Sequence, residues 1–461
     1  MHSGVVSETD TINGENGERQ TGETAVSGIN LAAVADPSEF QLADPYLIVV
    51  SCPFFDKGDG KLYVSDDWRN DLEQHFHYIK HLILAAPVRP APVGMVLHAF
   101  DDIVPDDVTA ESVPLPADNG IIDAILNLPR VTWRLWRAIA RCTFVHSDVI
   151  DGGHVYPYGL LATPIARLYR RFIIHFVENI ALQLGEHPSR RARLRSHVIA
   201  RMAHHCLLRA NVAFVSYRES ATRLLGAGHG NVHVLPYVYV HGRDVITPSE
   251  FDQLWFTKMQ PSTPLRAAVF SRLTESKGIA VLLRALHTLA NRGVALEFDV
   301  YGKGELQYQL HALEAIAAGP MRVRYRGTLP YDHGFLENLR NYHVIVIPSL
   351  SDEQPRILFD SMSQGTPVIA SSTLGMRDYI AEGGGFPVRA GEPDDLVTTL
   401  SALAGDRSDL PRRAAAAVAV ARKYSIESNH AERSRAIHAN YARFKAEQLL
   451  SDARGVRIRS A

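Results

Sequence analysis

Residues 265–278 have the sequence Leu-Arg-Ala-Ala-Val-Phe-Ser-Arg-Leu-Thr-Glu-Ser-Lys-Gly, and the fold can be worked out from this stretch. Leu265–Phe270 is a short apolar run, typical of a buried strand, and a helix is predicted over 278–291. Arg272 and Lys277 lie in the loop between them. Two cations beside the N–H groups of a helix N-terminus favour a diphosphate. Two solvated loop cations are an equally good interpretation of this motif alone.

The alternation of strand and helix continues on both sides of this loop. Further strands are predicted at residues 46–51, 81–86, 94–98, 142–147, 172–177, 212–216, 296–301, 322–326, 344–348 and 367–370. Residues 236–263 interrupt the rhythm with prolines and a glycine, as a linker between domains does. Because alternating strands and helices form parallel sheets, we predict an α/β chain. It has two doubly wound, Rossmann-like domains facing a central cleft, where a ligand binds at the carboxyl ends of the strands.

The overall composition excludes several classes of protein. The 461 residues are 46% hydrophobic and 21% charged, which is typical of a globular protein. With 48 Lys and Arg against 50 Asp and Glu the chain is not basic, which argues against a general nucleic-acid binder. Cys52, Cys142 and Cys206 are widely separated and favour a reducing compartment over a disulfide framework or a metal site. Without an 18-residue apolar run or a secretory signal pattern, the sequence predicts a cytoplasmic protein.

Charge is unevenly distributed along the chain. Residues 1–44 hold eight acids and one Arg, a net charge of −7, so the remainder carries −2 + 7 = +5. This first segment is polar and is predicted to be disordered. Residues 130–209 hold thirteen Arg, no Lys and four acids, a net charge of +9. This stretch has two interpretations: a solvated basic helix face, or a patch for an anionic membrane surface or a phosphorylated acceptor.

A second motif occupies residues 349–370, Ser-Leu-Ser-Asp-Glu-Gln-Pro-Arg-Ile-Leu-Phe-Asp-Ser-Met-Ser-Gln-Gly-Thr-Pro-Val-Ile-Ala. Asp352 and Asp360 have seven residues between them. A carboxylate in the loop can accept hydrogen bonds from sugar hydroxyls, and one in the following helix can bind a ribose diol. The structural alternatives are a helix N-cap for Asp352 and a solvated helix face for Asp360.

Together the two motifs resemble those of retaining glycosyltransferases of family 4, of the bacterial surface-polysaccharide type, which have the GT-B fold. The resemblance covers residues 264–405 and includes Val-Tyr-Gly-Lys-Gly-Glu-Leu at 300–306 and Tyr-Arg-Gly at 325–327. The N-terminal half resembles the family only in its rhythm of strands and helices. The family has two glutamates at the positions of Asp352 and Asp360, and Glu353 could supply the first carboxylate instead.

The resemblance implies a role for each matching side chain. Arg272 and Lys277 would hold the donor's diphosphate and stabilise its charge as it leaves, without a metal. Asp352 or Glu353 would contact the donor sugar, and Asp360 would bind the ribose. The other implied donor contacts are Gly58, Gly60, Gly302, Gly304, Gln354, Pro355, Arg356 and Ile357. On the acceptor side His146 or Glu178 is a candidate, although a purely structural position is the simpler interpretation of each.

The same resemblance sets the predicted domain boundaries. These are a disordered acidic tail at 1–44, an acceptor-side domain at 45–236, a linker at 237–263, a nucleotide-sugar domain at 264–424, a helix crossing back to the first domain at 425–446, and a flexible tail at 447–461. The loop of Gly58 and Gly60, placed after the first strand, would approach the donor from the acceptor-side domain.

These observations predict a retaining, metal-independent hexosyltransferase with no cofactor besides its nucleotide diphosphate sugar donor. The predicted acceptor is a glycan or a polyprenyl-diphosphate-linked saccharide, in exopolysaccharide or other surface-glycan synthesis. A peripheral position on the inner face of the plasma membrane is expected, and no nucleic-acid partner. Two alternatives stay open: a soluble acceptor such as a sugar phosphate, and a non-catalytic, glycosyltransferase-like partner subunit whose acid pair has degenerated.

Overall fold

The computed structural model describes residues 37–117, 121–148, 158–177, 198, 201–260, 264–310, 320–331 and 333–459. Residues 35–461 form one unit. Within it the described strands make two sheets, one in each half of the chain. Among the described residues no helix combines the length and apolar character needed to cross a membrane.

The N-terminal half is built on a ten-stranded sheet of described residues. Its strands are β1 Tyr46–Val49, β2 Phe54–Asp56, β3 Leu62–Ser65, β4 His81–Pro90, β5 Leu97–Ala99, β6 Thr109–Leu115, β7 Phe144–Asp148, β8 Phe172–Val177, β9 Val212–Val215 and β10 Val232–Val234. Its helices are α1 Asp66–Phe76, α2 Ile121–Ala140, α3 Tyr158–Leu168 and α4 Arg218–Gly226. Seven parallel strands follow the order β10-β9-β8-β7-β1-β4-β6, and β2 also pairs parallel with β4. Strand β3 pairs antiparallel with β2 and β5.

The C-terminal half is built on a six-stranded, all-parallel sheet. Its strands are β11 Leu265–Phe270, β12 Leu296–Tyr301, β13 Met321–Gly327, β14 Val344–Ile347, β15 Val368–Ser371 and β16 Gly385–Val388. The order β13-β12-β11-β14-β15-β16 is that of a doubly wound dinucleotide-binding sheet. The helices from residue 248 onward are α5 Pro248–Lys258, α6 Ile279–Asn291, α7 His333–Leu339, α8 Ile357–Ser363, α9 Arg377–Tyr379, α10 Pro393–Gly405, α11 Leu410–Lys423 and α12 Ile426–Arg459, and Ile380–Gly384 is a π-helix.

Both sheets are covered on both faces, as strands made of continuous apolar runs require. In β1, Tyr46 and Ile48 pack into one hydrophobic cluster while Leu47 and Val49 pack into another on the opposite face. The C-terminal sheet divides in the same way: Val269 of β11 lies in one cluster and Ala268 in the other. The prediction of two doubly wound, Rossmann-like α/β domains is therefore confirmed.

The segment predicted as a linker, 237–263, contains the helix α5. Thr247 and Glu250 form a reciprocal capping box at its start, and Pro248 stands at the first helical position, where its missing N–H costs no hydrogen bond. Trp255 is buried in the C-terminal core, and its indole N–H donates to the carbonyl of Gly365 over 3.0 Å. The proline therefore starts a helix of the C-terminal domain rather than marking a linker.

The two ends of the described chain pack together on the N-terminal sheet. Ala436 and Ile437 of α12 lie in the same hydrophobic cluster as Leu42. The Leu42 amide donates to the carbonyl of Tyr78 over 2.7 Å, and residues 37–39 form a 3-10 helix. Residues 37–44 of the predicted tail are thus structured, because Leu42 is an apolar side chain that the core buries. Residues 1–36 lie outside the described part, and α12 continues through the predicted C-terminal tail to Arg459.

Candidate active site

The strand order of the C-terminal sheet reverses at β11, which has β12 on one side and β14 on the other. The loops that follow β11 and β14 meet at this point, where the amide of Leu350 donates to the carbonyl of Ser276 over 2.9 Å. Gly278 has a left-handed conformation with φ of 72°, and a Cβ there would lie 1.8 Å from the carbonyl oxygen of Pro348. Only glycine allows this approach, so the glycine of the first motif is required by packing.

The loop after β12 approaches the same place equally closely. A Cβ on Gly302 would lie 1.7 Å from the carbonyl oxygen of Ser271, and one on Gly304 would lie 2.3 Å from that of Leu273. The three loops enclose a cavity of about 620 Å³ at the carboxyl ends of β11 and β14. Of the predicted donor residues, its wall includes Arg272, Lys277, Gly302, Pro355, Arg356, Ile357 and Asp360. We call it the C-terminal cavity.

The two cations of the first motif have different surroundings. The side chain of Lys277 is largely buried, and its Nζ lies 2.6 Å from Oε2 of Glu353. Arg272 is exposed, and it makes no ion pair with any other residue that the structure describes. The cavity therefore presents one positioned ammonium and one guanidinium that remains available for a ligand anion.

The acids of the second motif are held in different ways. Asp352 Oδ1 accepts from the amide of Leu374 over 3.0 Å and so ties down its loop, whereas Glu353 pairs with Lys277. Neither acid caps α8. The Gln354 side chain accepts from the amide of Tyr237 over 3.0 Å and donates to its carbonyl over 2.7 Å, so it joins this loop to the segment between the two sheets.

Asp360 is buried in the wall of the C-terminal cavity, with a relative exposure of only 1%. Its Oδ1 accepts from the hydroxyl of Tyr331 over 3.1 Å, and its Oδ2 lies 3.9 Å from Nε of Arg356. Burial raises the pKa of Asp360 to about 7, despite the opposing effect of Arg356. A solvated helix face is therefore the wrong interpretation of Asp360, since tertiary packing places the first turn of α8 against the cavity.

Arg356 connects the two halves of the molecule across the cleft. Its Nη1 donates to Oδ1 of Asp67 over 3.0 Å, and Asp67 stands in the first turn of α1 in the N-terminal domain. The guanidinium carbon lies 3.6 Å from the ring centroid of Tyr331. The paired acids at 66 and 67, next to the N-cap Ser65, indicate only a helix N-terminus, and no local signal predicts this cross-domain contact.

A second cavity, of about 420 Å³, lies at the carboxyl ends of β1 and β7. We call it the N-terminal cavity. Residues 50–53, which follow β1, line it together with His146 of β7, and His430 and Arg433 of α12 complete it. His146 is buried, burial lowers its pKa, and its Nδ1 lies 3.1 Å from the hydroxyl of Tyr46. Glu178, the other acceptor-side candidate, lies outside the described residues.

A polar cluster in the wall of the N-terminal cavity contains three side chains of the types that bind metal ions. The ligand atoms of Asp71, His75 and His430 all lie within 4.8 Å of one another. His75 Nδ1 lies 2.9 Å from the carbonyl of Asp71 and its Nε2 lies 3.0 Å from Nη1 of Arg433, so both ring nitrogens have partners. Burial, followed by the charge of Arg433, lowers the pKa of His430 to about 3. These side chains suit a hydrogen-bonding network between the histidine rings, the Asp71 carboxylate and a buried guanidinium better than a bound cation.

The predicted glycine loop has a different position from the one expected. Gly58 and Gly60 stand in the exposed hairpin between β2 and β3, with φ of 83° and 82°, and a Cβ on either would meet nothing within 4 Å. The sequence predicted this loop after the first strand, and in the structure the short strand β2 lies between β1 and the two glycines. The loop that does follow β1, residues 50–53, lines the N-terminal cavity.

Residues 265–406 match the family model described as Glycosyl transferases group 1. They form a glycosyltransferase group 1 domain. The amylovoran biosynthesis glycosyltransferase AmsK of Erwinia amylovora is 29% identical over 156 residues, which are 32% of this chain and 38% of the relative. The putative colanic acid biosynthesis glycosyltransferase WcaL of Escherichia coli K12 is 27% identical over 150 residues, 31% of this chain and 37% of the relative. The chain thus spans less than two fifths of these relatives' length.

Solved structures extend the similarity over both domains. Anabaena Alr3699/HepE in complex with UDP aligns with a TM-score of 0.59 at 15% identity, covering 88% of this chain and 100% of the other. Sucrose-phosphate synthase from Thermosynechococcus elongatus aligns with a TM-score of 0.55 at 15% identity, again covering 88% and 100%. At this identity the likeness concerns the fold, and the predicted GT-B fold is confirmed.

Proposed function

We propose that this protein is a retaining glycosyltransferase of family 4 that uses a nucleotide diphosphate sugar as its donor. The observation that carries the proposal is the pair of cations, Arg272 and Lys277, between β11 and α6, in a cavity where the strand order reverses. Doubly wound sheets bind nucleotides at such points. Because Arg272 has no ion pair among the described residues and Lys277 is held by one carboxylate, both can meet a diphosphate.

The catalytic contribution follows from the charge that develops on the leaving group. When the bond between the sugar and the diphosphate breaks, negative charge collects on the phosphate oxygen. Lys277 is held near this position before the reaction, Arg272 is available beside it, and the two cations stabilise that charge. These two cations support a reaction that requires no metal ion and no cofactor besides the donor.

Of the two acids left open by the sequence, we assign the donor sugar to Glu353. Asp352 already accepts a backbone hydrogen bond from Leu374, while Glu353 reaches Lys277 beside the cavity. Asp360 is assigned to the ribose, for which its protonated form at neutral pH could donate as well as accept. Retention of configuration is proposed from the resemblance of the motifs to family 4 and is tested by NMR of the anomeric proton in the first product formed.

The acceptor is assigned to the N-terminal cavity, which faces the cleft from the other sheet. A glycan or a polyprenyl-diphosphate-linked saccharide in exopolysaccharide synthesis is the class we propose, and the names of the relatives AmsK and WcaL support it. Such an acceptor would place the enzyme in the cytoplasm, peripheral to the inner face of the plasma membrane. A soluble acceptor such as a sugar phosphate is the alternative within the same fold.

One observation favours the non-catalytic alternative. Asp360 Oδ1 already accepts from the hydroxyl of Tyr331 and Oδ2 lies 3.9 Å from Nε of Arg356, so a donor ribose would share this carboxylate with residues of the chain itself. A partner subunit with a degenerate acid pair would show this arrangement and would bind no donor.

Thermal unfolding with UDP, GDP, ADP, dTDP and their sugar conjugates tests the proposal. A ligand at about a hundred times its Kd adds about 2.7 kcal/mol to the free energy of unfolding. We expect one base to raise the Tm of the wild type, and Lys277→Ala to reduce this rise while Arg292→Ala, at the far end of α6, leaves it unchanged. If no nucleotide raises the Tm, the non-catalytic alternative is favoured.

A further inference from the structure

Helix α2 exposes an apolar strip on the side that faces away from the sheet. Its inner side chains, including Val131 and Leu135, are buried in the N-terminal core. On the outer side Ile122 is 75% exposed, Leu126 72% and Trp133 60%, and Ile125 is similarly exposed. These positions recur at the spacing of one helix face. Surface helices normally present polar side chains on this side, so the strip indicates an interaction surface.

Two arginines border this strip. Arg130 and Arg137 stand three residues before and four residues after Trp133, so they share its side of the helix. Both are exposed, and neither forms an ion pair within the described part of the chain. Other arginines of the basic stretch are occupied: Arg134 donates to the carbonyl of Pro114, and Arg141 pairs with Glu111 at 2.5 Å. Of the three arginines of this helix, Arg130 and Arg137 are therefore the two that can meet a partner's negative charge.

The topology places the start of α2 at the edge of the sheet where the N-terminal cavity opens. Strand β6 is parallel to β4, and β4 is parallel to β1, so the carboxyl ends of all three lie at one edge. Helix α2 follows β6, and the loop after β4 exposes three more apolar side chains, Val93, Met95 and Val96. The loop after β4 and the start of α2 therefore bring exposed apolar side chains to the same edge of the sheet as the cavity assigned to the acceptor.

We propose that this surface, made of Ile122, Ile125, Leu126, Arg130, Trp133 and Arg137 and named the α2 face, binds an anionic lipid bilayer. An amphipathic helix lies in a membrane interface when aliphatic residues and tryptophan enter it and arginines meet anionic headgroups. The charges are complementary: α2 holds three arginines and one acid. The inference that this contact brings a lipid-linked acceptor to the N-terminal cavity rests on the proposed function, whereas bilayer binding itself does not.

Co-sedimentation of the full chain with vesicles tests the proposal. Vesicles of equal parts phosphatidylcholine and phosphatidylglycerol are compared with pure phosphatidylcholine. We expect binding to the anionic vesicles that weakens with salt. Each of the changes Arg130→Gln and Arg137→Gln should weaken it about fivefold, equivalent to about 1 kcal/mol each. Trp133→Glu and Leu126→Glu should each weaken it by about tenfold or more, because the strip loses apolar area and gains like charge.

Matched variants on the other domain serve as controls. Phe256, on α5, is 75% exposed, and Phe256→Glu should leave vesicle binding unchanged, as should Arg284→Gln on α6 and Arg292→Gln just after it. Equal binding to both vesicle types, no binding to either, or an equal loss in the controls would overturn the proposal. The proposal would also be overturned if sedimentation velocity showed a dimer of the wild type that Trp133→Glu converts to a monomer, because the α2 face would then bind a second copy of the chain. The nucleotide-induced rise in Tm reports on the proposed function separately and should survive Trp133→Glu.

Discussion

The C-terminal cavity is made by loops that directly follow their own strands, whereas the N-terminal cavity is completed by side chains from a helix nearly 400 residues downstream of β1. In the first, glycines let three backbone segments touch, and the side chains of the wall come from short loops after the strands and from the first turn of α8. In the second, His430 and Arg433 of α12 join His75 and His146. The comparison shows that the C-terminal cavity, which we assign to the donor, depends on local motifs. The N-terminal cavity, which we assign to the acceptor, depends on segments that are distant in the sequence.

The largest effect is expected where backbones touch. Gly278→Ala must move the backbone, since its Cβ would lie 1.8 Å from a carbonyl oxygen at a φ of 72°. We expect a loss of about 3–5 kcal/mol in the free energy of unfolding, measured with urea. Gly293 has a similar φ of 65° but open space around its Cβ, so Gly293→Ala should cost only about 1 kcal/mol. Equal losses would show that the close approach at 278 does not determine the stability of this loop.

Loss of the positioned lysine should affect turnover more than folding. Lys277→Ala should remove about 2–4 kcal/mol of transition-state stabilisation and lower kcat/KM accordingly. The Tm should change little, because the partner of Lys277, Glu353, is substantially exposed. The measurement uses the donor identified by thermal unfolding, and Arg292→Ala is the matched control. An unchanged kcat/KM would reject the role assigned to Lys277.

The corresponding cation of the N-terminal cavity should behave in the opposite way. Arg433 is buried, its Nη1 lies 3.0 Å from His75, and its charge lies over the ring of Phe176. Arg433→Ala leaves buried polar partners unpaired and should cost about 2–3 kcal/mol in the free energy of unfolding. Arg435→Ala, two residues along the same helix but half-exposed, should cost about 1 kcal/mol or less. A small cost at both positions would remove the contrast between the two cavities.

The smallest effect is expected at the contact between the domains. Asp67 is half-exposed, so the coupling energy between Arg356 and Asp67 should be only about 0.5–1 kcal/mol. A double-mutant cycle of Asp67→Asn and Arg356→Gln, measured through the Kd of the donor, isolates this coupling. Zero coupling energy would mean that the contact does not link the two cavities.

Several predictions from the sequence succeeded because they depended on patterns within a few residues. The apolar runs at 46–51 and 265–270 became buried parallel strands, since such runs must be covered on both faces. The loop cations and Asp360 line one cavity because parallel strands bring their carboxyl ends to the same edge. The predicted linker contains a helix that begins at Pro248, since a proline that interrupts one helix can equally begin another.

The amino-acid sequence by itself determined the α/β class with two doubly wound domains, which follows from the periodicity of strands and helices. The GT-B fold was predicted through the resemblance of two local motifs to a known family, and one of these motifs contains a glycine, Gly278, that the neighbouring backbone requires. Only the tertiary structure decided that Asp360 is buried, that Asp67 pairs with Arg356 across the cleft, and that α12 supplies Arg433 to the N-terminal cavity. The physical reason is that burial and ion pairing depend on which distant segments come into contact. The spacing of neighbouring residues does not predict those contacts.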